Sequence, residues 1–512
     1  MQRTVVAPHS RWRSAVSAYA GLFPLCRVPG QSIHGGNMPA ESINRRLSRW
    51  VAGLTHAELP PEVLDRARGV TLQGLSSCLL GHAFPETKQA IRLVEEEEHG
   101  TAGAITVLVD GRRFSRAGAA FINSEMMFAG GKWDTFRMVG HPGCAVLPAA
   151  LMAAELTRCW GREFLTGVVA GYEVMERLAA DFVPTILARG FHAGALFSIF
   201  GAAAAMAKIM RLDADQVHGA LAQCVNLAAG NLEGARSGGR SVREGAAVRN
   251  ALLAVGLARQ GIPGGDTVFE GEAGFYFAYA GNRDGHLSHS FMGARNADFA
   301  AITAKLGEQW LFLETLYRIY STAGYNIAHV DVTAALCKRD NIRPEQVERV
   351  ECMVNWLETQ YPSPAFPSRR TDLEPGREQP HYYAAYAILT GGFPITKNVQ
   401  QKVGEGDPAG IDDMMRRVRV IPSHTQPLFA PRVTIHTRDG IAHTLEATGL
   451  EFIMTFDQLA HRLAPIGAVS SIGKQQYEEL IGECRQIDQV KDIHRLIALA
   501  CAPVLTDRSQ MS

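Results

Sequence analysis

The sequence predicts a mainly α-helical protein with an α+β part: a large all-helical domain carrying a smaller, inserted α+β lid. Three observations lead there. Apolar residues recur at helical spacing from Ser42 to about Ala280. Strand-like alternation is confined to a later stretch, between Val347 and Leu445. Beyond it the chain returns to helical spacing. At 512 residues it is also too long for one ordinary core. The expected boundaries are an extension over 1–38, the helical domain over 39–282, the lid over 283–452 and a return to the helical domain over 453–505.

The extension holds Arg3, Arg11, Arg13 and Arg27 and no acidic residue before Glu41. That is the composition of a mitochondrial transit peptide. Pro8, Pro24 and Pro29 break any long amphipathic helix there, and globular patterning begins right after Met38, a second possible start. Mitochondrial and cytoplasmic locations both stay open.

Pro61-Glu62 opens a helix whose apolar positions are Val63, Leu64, Ala67 and Val70. Asp213 is placed to cap a helix through Val217, Leu221, Val225 and Leu227. A further helix over Ala246–Gln260 is stopped by Gly261 and Pro263. These segments are rich in Ala and Gly, which lets helices approach closely. Strands are expected over Val347–Val354, Arg417–Val420 and Arg432–Thr437. Asp439-Gly440 then reads as a hairpin turn into Ala442–Leu445.

Composition excludes several functions. With 51 basic and 51 acidic residues, no field of one sign is available to hold nucleic acid or an anionic membrane. An acidic substrate would have to be held by local basic residues. The most apolar stretch, Ala193–Ala207, is interrupted by Gly194, Ser198 and Gly201 and is too short for a membrane span. Nine scattered cysteines without a CxxC make no disulfide framework. Gly130-Gly131-Lys132 lacks the upstream glycine of a phosphate loop. No Gly-x-Ser-x-Gly elbow and no paired-histidine metal motif is present.

The chemistry-bearing residues fall in three turns, each ahead of a helix. The run Trp133 to Cys144 carries Asp134, Thr135 and His141, with Pro142-Gly143 suited to a helix start. Backbone N–H groups and the helix dipole favour an anion there. Gly190-Phe191-His192 precedes an Ala-rich helix, and a third turn carries Arg240 and Arg243 ahead of Gly245-Ala246-Ala247. Such turns would converge on one anion-binding pocket.

In this order the turns resemble the MmgE/PrpD family. The resemblance rests on His141-Pro142-Gly143 with Leu147-Pro148-Ala149-Ala150, on Gly190-Phe191-His192, on Leu212-Asp213-Ala214, on Gly245 to Ala254 and on the strand ending at Asp439-Gly440. It implies a helical domain with an α+β lid, a homodimer, and no metal or organic cofactor. It also implies a di- or tricarboxylate substrate and a carbanion formed or quenched beside a carboxylate. On that basis His141 and His192 are the candidate proton-transfer groups, and Asp134 orients His141 or itself accepts a proton. Thr135 would donate to a carboxylate oxygen. Arg240 and Arg243 would hold the developing charge, and Tyr320 and Tyr325 lie where the lid supplies polar groups.

Two departures bear on the reaction. The family commonly carries Asp-x-Asp-Asp-Thr before the His-Pro-Gly; Gly131-Lys132-Trp133-Asp134-Thr135 keeps only the last Asp and the Thr. Many members carry a lysine and a histidine where this chain has Arg240 and Arg243. Arginine clamps a carboxylate but cannot act as a general base. Both departures weigh against cis-aconitate decarboxylation. Dehydration of a 2-methylcitrate-like or alkylcitrate-like acid is the expected activity. Decarboxylation, epimerisation or isomerisation of a related acid, and a degenerate ligand-binding paralogue, are the alternatives.

Overall fold

A helix that is apolar on every side must lie inside. Two segments have that composition, and the computed structural model places both at the centre. They are the helices Gly143–Thr157 and Ala193–Ile209, in which nearly every side chain is buried. The structure describes residues 41–99, 103–137, 140–234, 242–282, 284–291, 293–360, 376–377, 379–397 and 404–502. The expected extension and Arg240 lie outside these residues.

In chain order the helical part comprises α1 (Ile43–Gly53), α2 (Pro61–Gly81), α3 (Pro85–Glu98), α4 (Arg116–Gly130) and α5 (Gly143–Thr157). It continues with α6 (Gly161–Ala179), α7 (Val183–Ala188), α8 (Ala193–Ile209), α9 (Ala214–Leu227) and α10 (Val242–Arg259). The sequence signals act as expected at several ends. Pro61 begins α2, and the Asp213 carboxylate accepts the Gln216 N–H at 2.8 Å to cap α9. Gly261 follows α10 with a φ of 87°. That helix starts at Val242, one turn before the apolar spacing marks it. Small residues do bring helices together. A Cβ on Gly171 of α6 would lie 2.7 Å from the Gly201 carbonyl of α8, and one on Gly201 would lie 2.9 Å from that of Gly171.

Two short ribbons interrupt the helices. β1 (Ile105–Thr106) pairs with β2 (Arg113–Phe114). β3 (Asp134–Thr135) pairs antiparallel with β4 (Leu316–Tyr317), which stitches the region before α5 to the start of the inserted part. Helices α11 (Phe275–Ala280) and α12 (Phe299–Thr303) lie between, and α13 (Ile327–Asp340) follows β4.

The inserted part contains a four-stranded sheet in the order β6-β5-β7-β8. Its strands are β5 (Val347–Asn355), β6 (Val418–Ser423), β7 (Arg432–Thr437) and β8 (Ala442–Glu446). β7 and β8 form the hairpin marked by Asp439-Gly440. β5 and β6 run parallel, which needs a crossover; α14 (Pro380–Thr390) and α15 (Ile411–Arg417) lie within it. The chain then returns to helix with α16 (Phe456–Leu463), α17 (Gly473–Arg485) and α18 (His494–Leu499). From Ser42 onward the chain forms one compact unit. Among the described residues no helix is long and apolar enough to cross a membrane.

Candidate functional site

The β3–β4 ribbon positions the first cluster. α4 ends at Gly131, whose φ of 73° lies in the left-handed region and whose missing Cβ would stand 2.6 Å from Ser321 Oγ. After β3 the chain doubles back through a bridge between Phe136 and Gly140. It thus returns His141 beside Asp134, just before α5. His141 Nδ1 lies 2.9 Å from the Asp134 carbonyl oxygen and 3.4 Å from Thr135 Oγ1. A carbonyl only accepts, so Nδ1 carries the hydrogen and the lone pair of the neutral ring is on Nε2.

The Asp134 side chain turns the other way. Its two oxygens accept the Gly143 N–H at 3.1 and 3.0 Å, and the Tyr172 hydroxyl donates to it as well. It therefore anchors the first residue of α5, and it orients His141 through its backbone, not its carboxylate. Burial raises its pKa to about 6, against the opposing hydrogen bonds from Tyr172 and Gly143. A side chain at Gly143 has no room: a Cβ would stand 2.7 Å from the Tyr172 oxygen and 2.8 Å from Asp134 Oδ2.

An aromatic stack extends the cluster. Phe128 lies 4.2 Å from Trp133, and Trp133 lies 4.8 Å from His141, centroid to centroid. Two cations sit on this stack. The Arg318 guanidinium is 4.0 Å from the Trp133 centroid, and that of Arg243 is 5.2 Å from the Phe128 centroid. Arg318 is buried, and its backbone N–H donates to the Trp133 carbonyl at 2.8 Å. Arg243 Nε also donates to Glu244 at 3.0 Å, which offsets part of its charge.

Lys132 completes the centre. It is 1 % exposed and donates from Nζ to Ser321 Oγ at 2.6 Å. Burial, and next the neighbouring Arg318 charge, lower its pKa to about 7. A cavity of about 10 Å³ adjoins Gln73, Lys132, Asp134 and Gly143. That is the size of one water molecule.

The structure thus gathers Asp134, Thr135 and His141, and joins Arg243 to them through Phe128 and Trp133. Tyr325 is buried in the turn Gly324–Asn326, and its neighbour Gly324 lies against Thr135, where a Cβ would be 3.2 Å from Cγ2. His192 stands at the start of α8, buried, with its backbone N–H on the Gly230 carbonyl at 3.3 Å. Tyr320 is tied elsewhere. Its hydroxyl donates to Asp331 and accepts from Arg462, both at 2.7 Å. Lys132, Tyr172, Arg318 and Ser321 were not among the residues expected from the sequence. Lys132 stands in a run that attracts notice as a failed phosphate loop and as the variable position of a partly kept family motif. Arg318 and Ser321 belong to no local pattern. Among the described residues no group of three or more His, Cys, Asp or Glu could hold a metal ion.

Residues 45–288 match the family model of the MmgE/PrpD N-terminal domain. This N-terminal domain of the chain is of the MmgE/PrpD family. The match spans the Lys132–Gly143 run, Tyr172, His192 and Arg243, whereas Arg318, Ser321 and the tyrosines lie beyond it. Over 299 residues the chain is 26% identical to the cis-aconitate decarboxylase-like protein oryM of Aspergillus oryzae, covering 56% of this chain and 60% of that relative. Over 492 residues it is 23% identical to the cis-aconitate decarboxylase of Aspergillus terreus, covering 90% of this chain and 96% of that protein. The Homo sapiens cis-aconitate decarboxylase is 27% identical over 255 residues, 48% of this chain and 51% of that protein.

Proposed function

We propose that this MmgE/PrpD member is a hydro-lyase that dehydrates a 2-methylcitrate-like or alkylcitrate-like acid. The observation that carries the reading is His141, with its Nδ1–H spent on the Asp134 carbonyl, beside a stack that bears two arginines. Nε2 is then the base for a proton on the carbon next to a carboxylate. The arginines stabilise the negative charge that develops as this proton leaves. Asp134 and Tyr172 act behind His141 by fixing the start of α5.

Decarboxylation is the second reading, favoured by the names of the relatives. Against it stands Gly131. The decarboxylase pattern has an acid at that place, and here any side chain would meet Ser321. The test is incubation with 2-methylcitrate and longer alkylcitrates, following the unsaturated product by NMR. Conversion of cis-aconitate to itaconate, with no dehydration of any citrate, overturns the first reading in favour of the second. Solvent deuterium entering recovered substrate without alkene points instead to an epimerase or isomerase. We take the active form to be a homodimer that needs no metal or organic cofactor. A monomer at micromolar concentration in sedimentation would refute the dimer.

A further inference from the structure

Lys132 is an unusual group to find at this depth. It is 1 % exposed, Arg318 beside it is 2 % exposed, and its Nζ donates to Ser321 Oγ at 2.6 Å. An ammonium has three donors, and a buried cation facing a second cation is held at a cost. Burial and Arg318 bring its pKa to about 7, where it can release a proton near neutral pH. The segment that holds it also leads to the site. Ser321 Oγ meets Lys132, and three residues on Gly324 lies against Thr135, the partner of His141. The charge that acts on Lys132 is that of Arg318, from beyond β4, and Asp134 on β3 lines the same small cavity.

We propose that Ser321 and Lys132 are the acid side of this site: Ser321 is the hydroxyl that protonates the leaving group, and Lys132 is the positioning residue that resupplies its proton. The role rests on the dehydration reading above. In the step, His141 Nε2 takes the proton from carbon, and the electron pair of that C–H bond forms the alkene. The C–O bond breaks with its electrons on oxygen. That oxygen takes the Ser321 hydroxyl proton and leaves as water, while Ser321 Oγ takes a proton from the Lys132 ammonium. His141 is left as imidazolium and Lys132 as a neutral amine, and exchange with solvent restores both. The described hydrogen bond already runs in the needed direction, from Nζ to Oγ.

Two arms test this on the full chain. The first needs no substrate and compares melting temperatures of wild type and Lys132→Met from pH 6 to 10. A lysine whose folded pKa is about 7 binds fewer protons folded than unfolded up to its ordinary value of 10.5. Wild type should therefore gain stability relative to Lys132→Met as pH rises through this window. A constant difference shows an ordinary lysine and overturns the proposal whatever the substrate. The second arm measures alkene formation from 2-methylcitrate and longer alkylcitrates against pH. Lys132→Arg keeps a cation but cannot release its proton, so kcat should fall by about 10²–10⁴ with KM little changed, and Ser321→Ala should fall comparably. The loss of wild-type rate above pH 7 should vanish from the residual activity of Lys132→Met. Wild-type rates in Lys132→Arg and Ser321→Ala overturn the acid pair while leaving dehydration standing. Failure of the wild type to make alkene from any of these acids overturns the dehydration reading, and the acid pair falls with it.

Discussion

The Arg318 guanidinium stands 4.0 Å from the centroid of the Trp133 ring, and both side chains are buried. An arginine is weakly hydrated and stacks on an aromatic face, so indole is a surface on which such a charge can be kept out of water. Under the proposed dehydration this charge is what a substrate carboxylate would meet. Arg318→Met should raise KM at least about thirtyfold, the lower end of what removing one partner of a buried charge pair costs. Arg318→Lys should not restore binding, because an ammonium offers neither the fork nor the stack. Trp133→Leu should resemble Arg318→Met, and Trp133→Phe should fall between them. Steady-state kinetics on the dehydrated acid checks the order.

His141 should be the least replaceable side chain. If its Nε2 takes the proton from carbon, His141→Ala lowers kcat by about 10²–10⁴. The variant loses the Nδ1 contacts to the Asp134 carbonyl and the Thr135 hydroxyl, so its unfolding free energy should drop by only about 1–2 kcal/mol. Denaturant unfolding beside kinetics separates the two effects. A purified, folded His141→Ala with wild-type turnover removes His141 from the chemistry.

Much of this was legible in the chain, and the rest failed for a physical reason. The Asp213 cap, the stop at Gly261 and the Asp439-Gly440 hairpin are local events, decided by a few neighbouring residues. The His141-Pro142-Gly143 run was legible as a helix start for the same reason. Lys132 was not, because its burial is set by Ser321, 189 residues away. Arg318 owes its place to the β3–β4 pairing, and a two-residue strand leaves no periodic signal. The parallel pairing of β5 with β6 was hidden for a related reason: alternation marks a strand, not its neighbour. From the sequence, Asp134 orients His141 or itself accepts a proton, and which atoms its carboxylate meets is not legible there. The carboxylate meets Gly143 and Tyr172, which lie on other elements.

Gly143 should tolerate no side chain. A Cβ would stand 2.7 Å from the Tyr172 oxygen and 2.8 Å from Asp134 Oδ2, two atoms already bound to each other. Neither can retreat without breaking that bond. Gly143→Ala should therefore destabilise the fold by about 1–3 kcal/mol, as overpacking does. It should also displace His141, two residues earlier, and lower kcat. Tyr172→Phe, which removes the crowded oxygen, should restore part of the stability of Gly143→Ala in the double variant. If the two losses simply add, the crowding lies elsewhere.

The last expectation concerns Asp134 and pH. Burial lifts its carboxyl to about 6 in the folded protein, against an ordinary 3.8. Between these values the folded chain binds more protons at this group than the unfolded chain does. Stability at this group is therefore fully present below about 3.8, falls as pH climbs to 6 and stays lower above it. The difference amounts to about 3 kcal/mol at most. Asp134→Asn carries no such titration, although its amide cannot accept from both Gly143 and Tyr172 as well as the carboxylate does. The variant should thus be clearly less stable than wild type near pH 4 and should close the gap as pH approaches 7. Urea unfolding of the two proteins across that range measures it. A gap that does not change with pH would mean that the Asp134 carboxyl is ionised in the ordinary range, held by Tyr172 and Gly143 strongly enough to cancel its burial.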